Sequence, residues 1–187
     1  MNQFVSRGGI KLQQALDTFN VDVKGLIVLD VGSSTGGFVD CLLQNDAAKV
    51  YSLDTAYGEL AWKLRNDPRV VVIERQNILY FDSLPEKVDL ITIDVTFTSL
   101  EKILPAVRKF LKNTGRIIAL IKPQYERQDI ALKHHGVIPL DMVEQIVNEI
   151  DFSGFRILQK ADSPILGGSG NKEYLALMKI NYEYPLA

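Results

Sequence analysis

The stretch that most constrains the fold of this chain is residues 26–38, LIVLDVGSSTGGF. It starts with an apolar run that is typical of a strand buried on both faces. The glycines at positions 32, 36 and 37 then free the backbone from the steric limit that a Cβ imposes. From residue 36 onward the sequence predicts a helix whose first amides point back at the loop. A strand, glycine loop and helix in this order indicate a site for the polar part of a nucleotide-like cofactor.

The spacing of the loop narrows the choice of cofactor. It lacks the Lys-Ser/Thr end of a phosphate loop and the middle glycine of the dinucleotide fingerprint. The same start also occurs in methyltransferases that use S-adenosylmethionine (SAM), so we predict SAM, with an ordinary tight turn as the alternative. The predicted cofactor-binding residues of the loop are Gly32, Ser33, Ser34, Thr35, Gly36, Gly37 and Phe38.

The composition is that of one soluble domain, with 187 residues of which 47% are hydrophobic and 24% charged. No apolar run approaches the roughly 20 residues that span a bilayer, and the N-terminus has no apolar signal core. We therefore expect a cytoplasmic protein with no membrane partner. The single cysteine, Cys41, excludes an intrachain disulfide and is interpreted as a packed thiol. We also expect Trp62 to lie in the core.

The charge is unevenly distributed along the chain, although the net charge is only −2. Residues 99–135 carry eight Lys and Arg against three Asp and Glu, whereas residues 26–98 carry six against eleven. A basic segment in an acidic protein points to a local polyanion site, and a solvated helix face is the alternative.

Alternating strands and helices predict an α/β fold with a mostly parallel sheet of seven strands and helices on both faces. The expected strands are 26–31, 49–54, 70–74, 88–94, 115–121, 155–160 and 172–180. The expected helices are 6–19, capped by Ser6, then 36–44, 59–66, 100–111 and 141–151. The last two strands lack an intervening helix, so we expect them to pair antiparallel at one edge. Residues 123–139 form the longest irregular piece, which is typical of a functional lid.

Polar residues stand where several of these strands end. Ligands in open α/β sheets bind beyond the carboxyl ends of the strands, so Gly32, Asp54, Asn77, Asp94 and Lys122 are expected to face one crevice. Asp54 comes about 20 residues after the loop, which suits the ribose hydroxyls of a cofactor. Asn77 has the donor and acceptor needed to read an adenine edge. The coincidence of several such residues carries the prediction, since any one of them can be an ordinary strand terminus.

Five motifs, in order along nearly the whole chain, resemble the TlyA subgroup of FtsJ-type ribosomal RNA 2′-O-methyltransferases, which often carry the label hemolysin A. They are SRGGIKL at 6–12, DVGSSTGGF at 30–38, TIDVTF at 92–97, KPQYE at 122–126 and SPILGGSGNKEY at 163–174. The resemblance implies a Rossmann-like SAM-dependent methyltransferase fold with an antiparallel edge strand. It also implies a catalytic Lys-Asp-Lys-Glu tetrad, which falls on Lys11, Asp94, Lys122 and Glu173, with Asp94 close to the cofactor as well.

The chain departs from the subgroup in two places. Members usually carry an S4 RNA-binding domain before the SRGGxKL run, and only five residues precede it here. We therefore expect residues 1–187 to be the methyltransferase domain without its S4 domain, able to bind SAM but methylating RNA poorly. Where the subgroup tends to read GKGGV, this chain has KHHGV at 133–137. The adjacent histidines are interpreted as surface residues, and no metal site is expected.

The tetrad suits methylation of a ribose hydroxyl, which needs a positioned acceptor and a route for its proton. Lys122 can be a neutral base or an ammonium that orients the hydroxyl, and the sequence leaves both open. The expected partner is ribosomal RNA or a ribosomal subunit. Arg7, Arg127 and Lys133 are predicted phosphate contacts, and Tyr125 a stacking surface for an unpaired base. The alternatives are an RNA-binding or ribosome-assembly module without turnover and, as the family label suggests, a hemolysin.

Overall fold

A computed structural model of the chain describes residues 3–150, 152 and 154–183. Its centre is one seven-stranded sheet in the order β3-β2-β1-β4-β5-β7-β6. The strands are β1 (Ile27–Val31), β2 (Lys49–Leu53), β3 (Val70–Ile73), β4 (Val88–Ile93), β5 (Leu111–Ile121), β6 (Phe155–Asp162) and β7 (Tyr174–Ile180). The first five are parallel, while β7 runs antiparallel to both β5 and β6. The predicted fold class and antiparallel edge pairing are confirmed.

The helices are α1 (Gly8–Phe19), α2 (Gly37–Gln44), α3 (Trp62–Arg65), α4 (Leu100–Val107), α5 (Pro123–Glu126), α6 (Gln128–Lys133) and α7 (Leu140–Glu149), with a 3₁₀ turn at Arg108–Phe110. None of them, in the part of the chain that the structure describes, is long and apolar enough to cross a membrane.

The sheet divides two apolar layers because successive residues of a strand face opposite sides. In β1, Leu29 and Val31 pack with α4 and α7, while Val28 packs with α1 and α2 on the other face. Burial on both faces explains why the strands read as continuous apolar runs and not as an alternating pattern. Cys41 is fully buried in the second layer, as predicted, and burial raises the pKa of its thiol to about 12.

Three local predictions are wrong. Ser6 does not cap α1, because the helix begins at Gly8 after Arg7 and has no side-chain cap. Trp62 is 77% exposed, since α3 is a single turn and buries Leu64 instead. The segment 123–139 is not irregular throughout, because it forms α5 and α6. The predicted end of the last helix, residue 151, lies outside the described residues.

Candidate active site

A cavity of about 550 Å³ lies beyond the carboxyl ends of β1, β2 and β4, where the strand pattern places a ligand. Its walls come from the start of α1, the glycine loop, the residues after β2, β3 and β4, and the loop before β7. Of the predicted site residues, it is lined by Arg7, Lys11, Gly32, Ser33, Ser34, Thr35, Gly37, Phe38, Asp54, Asn77, Asp94 and Lys122. Gly36, Glu173, Tyr125, Arg127 and Lys133 lie outside the lining.

The glycines let three backbone segments meet at this cavity. Gly32 has φ +86°, and a Cβ there would lie 2.5 Å from the carbonyl oxygen of Asp94. Gly37 opens α2, and a Cβ at that position would lie 2.8 Å from the amide nitrogen of Gly9 in α1. The close approach of α1 to the start of α2 is what carries Lys11 to the cavity.

Two ion pairs reach the cavity through their lysines. Lys122, directly after β5, places Nζ 2.6 Å from Oδ1 of Asp94, directly after β4. Lys11 on α1 places Nζ 2.6 Å from Oε2 of Glu173, directly before β7. Both lysines and Glu173 are buried. A buried charge is tolerated when an opposite charge offsets its lost hydration, so each pair holds its two members in place.

Asp54 shapes the glycine loop in addition to facing the cavity. Its Oδ2 accepts a hydrogen bond from the amide of Ser34 at 2.7 Å, and its Oδ1 accepts one from the amide of Ala56 at 2.8 Å. Ser34 itself has φ +47°. The carboxylate therefore fixes an unusual loop conformation, while each oxygen keeps a second lone pair for a ligand hydroxyl.

Asn77 uses one of its two side-chain polar atoms in a hydrogen bond within its own turn. Its Oδ1 accepts a hydrogen bond from the amide of Leu79 at 3.0 Å, whereas its Nδ2 has no partner within the described chain. The amide can therefore offer a donor to a ligand, and less readily the acceptor that the sequence interpretation also assigned to it.

Sequence reasoning did not select Asp30, the fourth residue of β1. It is 1% exposed, its Oδ1 accepts a hydrogen bond from Thr92 Oγ1 at 2.6 Å, and its Oδ2 has no partner in the described structure. Burial raises the pKa of this carboxyl to about 7, the nearby carboxylates of Asp94 and Asp54 raise it further, and hydrogen bonds from Thr92 and Ser33 oppose the rise. An acid that ends a buried apolar run was the available signal.

An aromatic pair that the sequence analysis half identified stands next to Lys122. The rings of Phe97 and Tyr125 lie 5.3 Å apart, and Lys122 Nζ is 5.8 Å from the Tyr125 ring. Phe97 is 79% exposed with φ +65°, and its carbonyl accepts a hydrogen bond from Gln128 Nε2 at 3.2 Å. A positive φ at a residue that carries a Cβ is uncommon, and such residues cluster at functional sites. Burial, Glu173 and Asp94 raise the pKa of the Tyr125 hydroxyl.

The structure separates the other predicted RNA contacts. Arg7 is exposed at the cavity. Arg127 forms ion pairs with Asp129 at 3.0 Å and Glu149 at 3.4 Å, so its charge is already shared with two acids. Lys133 is exposed at the end of α6.

Glu126 of the KPQYE motif joins α5 to α4. Its carboxylate accepts hydrogen bonds from the amide of Leu100 at 3.0 and 3.2 Å, which satisfies an unpaired donor at the start of α4. Burial raises the pKa of Glu126 to about 7, although the Leu100 amide opposes the rise.

Comparison with known proteins gives one consistent result. The model of the family "FtsJ-like methyltransferase" matches residues 4–180. The chain is 42% identical over 181 residues to "Putative rRNA methyltransferase YqxC" of Bacillus subtilis, covering 92% of this chain and 64% of that protein. It is 38% identical over 191 residues to "16S/23S rRNA (cytidine-2'-O)-methyltransferase TlyA" of Mycobacterium tuberculosis, covering 98% of this chain and 71% of that protein.

Solved structures of other proteins show the same fold. "Putative hemolysin from Streptococcus thermophilus" superposes with a TM-score of 0.89 at 39% identity over 97% of this chain and 69% of that one. The N-methyltransferase NodS of Bradyrhizobium japonicum, solved with S-adenosyl-L-homocysteine, has a TM-score of 0.64 at 15% identity over 93% of this chain and 86% of that one, a likeness of fold alone.

Proposed function

Since the chain belongs to the FtsJ-like methyltransferase family, we propose that it methylates the ribose 2′-hydroxyl of a ribosomal RNA nucleotide with SAM as methyl donor. The observation that carries the proposal is a set of two ion pairs, Lys122 with Asp94 and Lys11 with Glu173. Both lysines and Asp94 line a cavity bounded by the glycine loop. The names of the relatives favour ribosomal RNA, and cytidine as the target.

The residues present fit SAM. A cavity of about 550 Å³ is in the range of cofactor sites, and a Cβ at position 32 would displace the backbone of Asp94, which lines it. We assign the loop and Asp54 to the amino-acid and ribose portions and Asn77 to the adenine. When bound, SAM supplies an electrophilic methyl group on sulfur.

The four polar residues position the acceptor and manage its proton. Asp94 lies 2.6 Å from Lys122 and orients its side chain, whose remaining N–H donors can hold the 2′-oxygen and stabilise negative charge on it. The Asp94 carboxylate lines the cavity and can accept the hydroxyl proton as the new oxygen–carbon bond forms. Lys11 and Glu173 fix the far side of the site, because their pair ties α1 to the start of β7.

The aromatic pair supports a nucleic-acid substrate. The Tyr125 ring lies 5.8 Å from Lys122 Nζ, and the Phe97 ring lies 5.3 Å from that of Tyr125. Aromatic rings can stack on any base. Arg7 adds an exposed cation on the same cavity, suited to a phosphate. The chain spans 64% of the length of the Bacillus subtilis relative. Methylation of ribosomal RNA, the activity named for full-length relatives, is therefore part of what we propose for this chain.

Transfer of radiolabelled methyl from SAM to purified ribosomal subunits tests the proposal, with mapping of the modified nucleotide. Lys122→Ala is expected to lower transfer at least 100-fold while SAM binding, measured by calorimetry, persists. The matched control is Lys112→Ala. Lys112 lies on the same strand and pairs with Asp89 of β4 at 2.7 Å, but at the opposite end of the sheet.

Near-full transfer by Lys122→Ala would remove Lys122 from the chemistry. RNA binding without any methyl transfer by the wild-type chain would favour the module without turnover.

A further inference from the structure

A second cavity, of about 450 Å³, lies at the end of the sheet opposite to the active site, beyond the amino ends of the parallel strands. It is formed where β4 and β5 begin and the antiparallel β7 ends, which are the strand ends farthest from the glycine loop. Its charged lining is entirely basic and consists of Lys87, Arg108 and Lys109. The remaining lining residues are Pro105, Leu111, Asn113, Ile180 and Tyr182.

No ion pair joins these three cations to an acid among the residues that the structure describes. The acids that flank Lys87 in sequence are engaged elsewhere. Glu86 pairs with Lys49 at 2.7 Å, and Asp89 pairs with Lys112 at 2.7 Å. The cavity therefore collects three positive charges without a compensating carboxylate, which attracts an anion.

Arg108 is the least exposed of the three. Its Nη1 is buried and has no hydrogen-bond partner in the described structure. Its guanidinium lies 5.9 Å from the Tyr182 ring, and the Tyr182 hydroxyl donates to the carbonyl of Asn113 at 3.0 Å. A buried donor on a charged group is normally paired. Arg108 is thus held at the cavity with part of its binding capacity unused.

We propose that Lys87, Arg108 and Lys109 bind a phosphate group of the RNA backbone, as a contact separate from the active site. A guanidinium and two ammonium groups around one cavity match a phosphodiester, whose oxygens accept from several donors at once. The RNA assignment rests on the proposed function. The strand β4 of six residues separates the two cavities by about 20 Å. The RNA that contacts both is therefore a folded one that wraps an edge of the sheet.

The basic segment of the sequence explains this second contact. The charge distribution predicts one local polyanion site in residues 99–135, but β5 lies within this segment and extends from one end of the sheet to the other. Lys122 lies at the active-site end, while Arg108 and Lys109 lie just before the other end. One basic segment therefore contributes cations to both ends of the sheet.

The test replaces the three cations together, as Lys87→Gln, Arg108→Gln and Lys109→Gln. The matched control, Lys24→Gln, Arg156→Gln and Lys160→Gln, changes the net charge equally at residues that line neither cavity. The first readout is a titration with inorganic phosphate, followed by the amide chemical shifts of Asn113 and Leu111. This readout needs neither RNA nor SAM, so it is independent of the proposed function.

The second readout is binding of a labelled ribosomal RNA fragment by fluorescence anisotropy at several salt concentrations. Loss of this one phosphate contact should reduce the slope of log affinity against log salt by about 0.7 and weaken binding roughly fivefold at 0.1 M salt. The double variant Lys87→Gln, Lys109→Gln changes exposed side chains only and should lower the slope in the same direction, by no more than about 0.7, which covers the case in which loss of Arg108 disturbs folding.

A phosphate titration and a salt slope that match the control would overturn the proposal. A phosphate response at Asn113 with an unchanged RNA slope would overturn the assignment to RNA. Absence of methyl transfer from SAM by the wild-type chain, with the RNA slope effect intact, would count against the proposed function and leave this site standing.

Discussion

Asp30→Asn tests whether the carboxyl at the centre of the sheet is protonated in the folded protein. The pKa of Asp30 is raised from 3.8 to about 7 in the fold, chiefly by burial, with one oxygen unpaired within the described residues. The difference corresponds to about 4 kcal/mol by linkage. Because the folded state holds this proton more tightly than the unfolded state, the contribution stabilises the protein below pH 3.8. It is lost as the pH rises to about 7.

Asparagine removes the titration and keeps an oxygen that can accept from Thr92. Relative to Asp30→Asn, the wild-type protein should therefore lose about 3 kcal/mol of unfolding free energy between pH 5 and pH 8. Urea unfolding at each pH measures it, followed by far-ultraviolet circular dichroism because Trp62 is exposed and reports poorly on the core. Glu126 also titrates near pH 7, but it is present in both proteins and cancels in the difference.

The control is Asp40→Asn. Asp40 is also buried, but it pairs with Lys63 at 3.0 Å and accepts from the amide of Val5 at 2.8 Å. Its replacement should destabilise the protein at neutral pH, because Lys63 and the amide of Val5 lose a charged acceptor. A difference between wild type and Asp30→Asn that does not change from pH 5 to pH 8 would refute the reasoning, because it would mean that Asp30 ionises without penalty.

Three further predictions concern the framework of the site. Glu126→Ala should cost about 1 kcal/mol in urea unfolding because the Leu100 amide loses its acceptor, whereas Glu126→Gln should retain most of that stability. Asn171→Ala should cost about 2–3 kcal/mol and speed amide exchange at Ile138, because a buried side chain loses hydrogen bonds to Ile138 and Gly136; equal exchange rates would contradict it. Gly32→Ala should abolish SAM binding in calorimetry, since the added Cβ meets the Asp94 carbonyl at 2.5 Å. The control Gly25→Ala has a similar φ of +72° but open space, and should leave binding intact.

The sequence was sufficient for the sheet because its signals are local and repeated. Each parallel strand is a short apolar run, and its end is marked by a polar residue, so the parallel sheet and the crevice follow from general rules. Helix bounds were less certain. The predicted helix 59–66 contracts to Trp62–Arg65, and the start of β5 extends back to Leu111, since tertiary packing overrides weak local preference at element ends. The sequence does not predict a role for Phe97, because its positive φ and its exposure are set by the conformation of the loop between β4 and α4.

Under the proposed function, the charge arrangement separates catalysis from RNA affinity. Each tetrad lysine is committed to one carboxylate at 2.6 Å, so the four residues are together electrically neutral and draw little on the phosphate backbone. Affinity must then come from unpaired cations elsewhere, and the described chain offers Arg7 beside the active site and Lys87, Arg108 and Lys109 at the opposite end of the sheet. Substitutions at the tetrad should accordingly lower the methylation rate with little change in the salt slope of RNA binding, whereas substitutions at the far cavity should do the reverse. Measuring both quantities for Lys122→Ala and for the Lys87, Arg108, Lys109 variant tests that division, and a salt slope that falls equally in the two would contradict it.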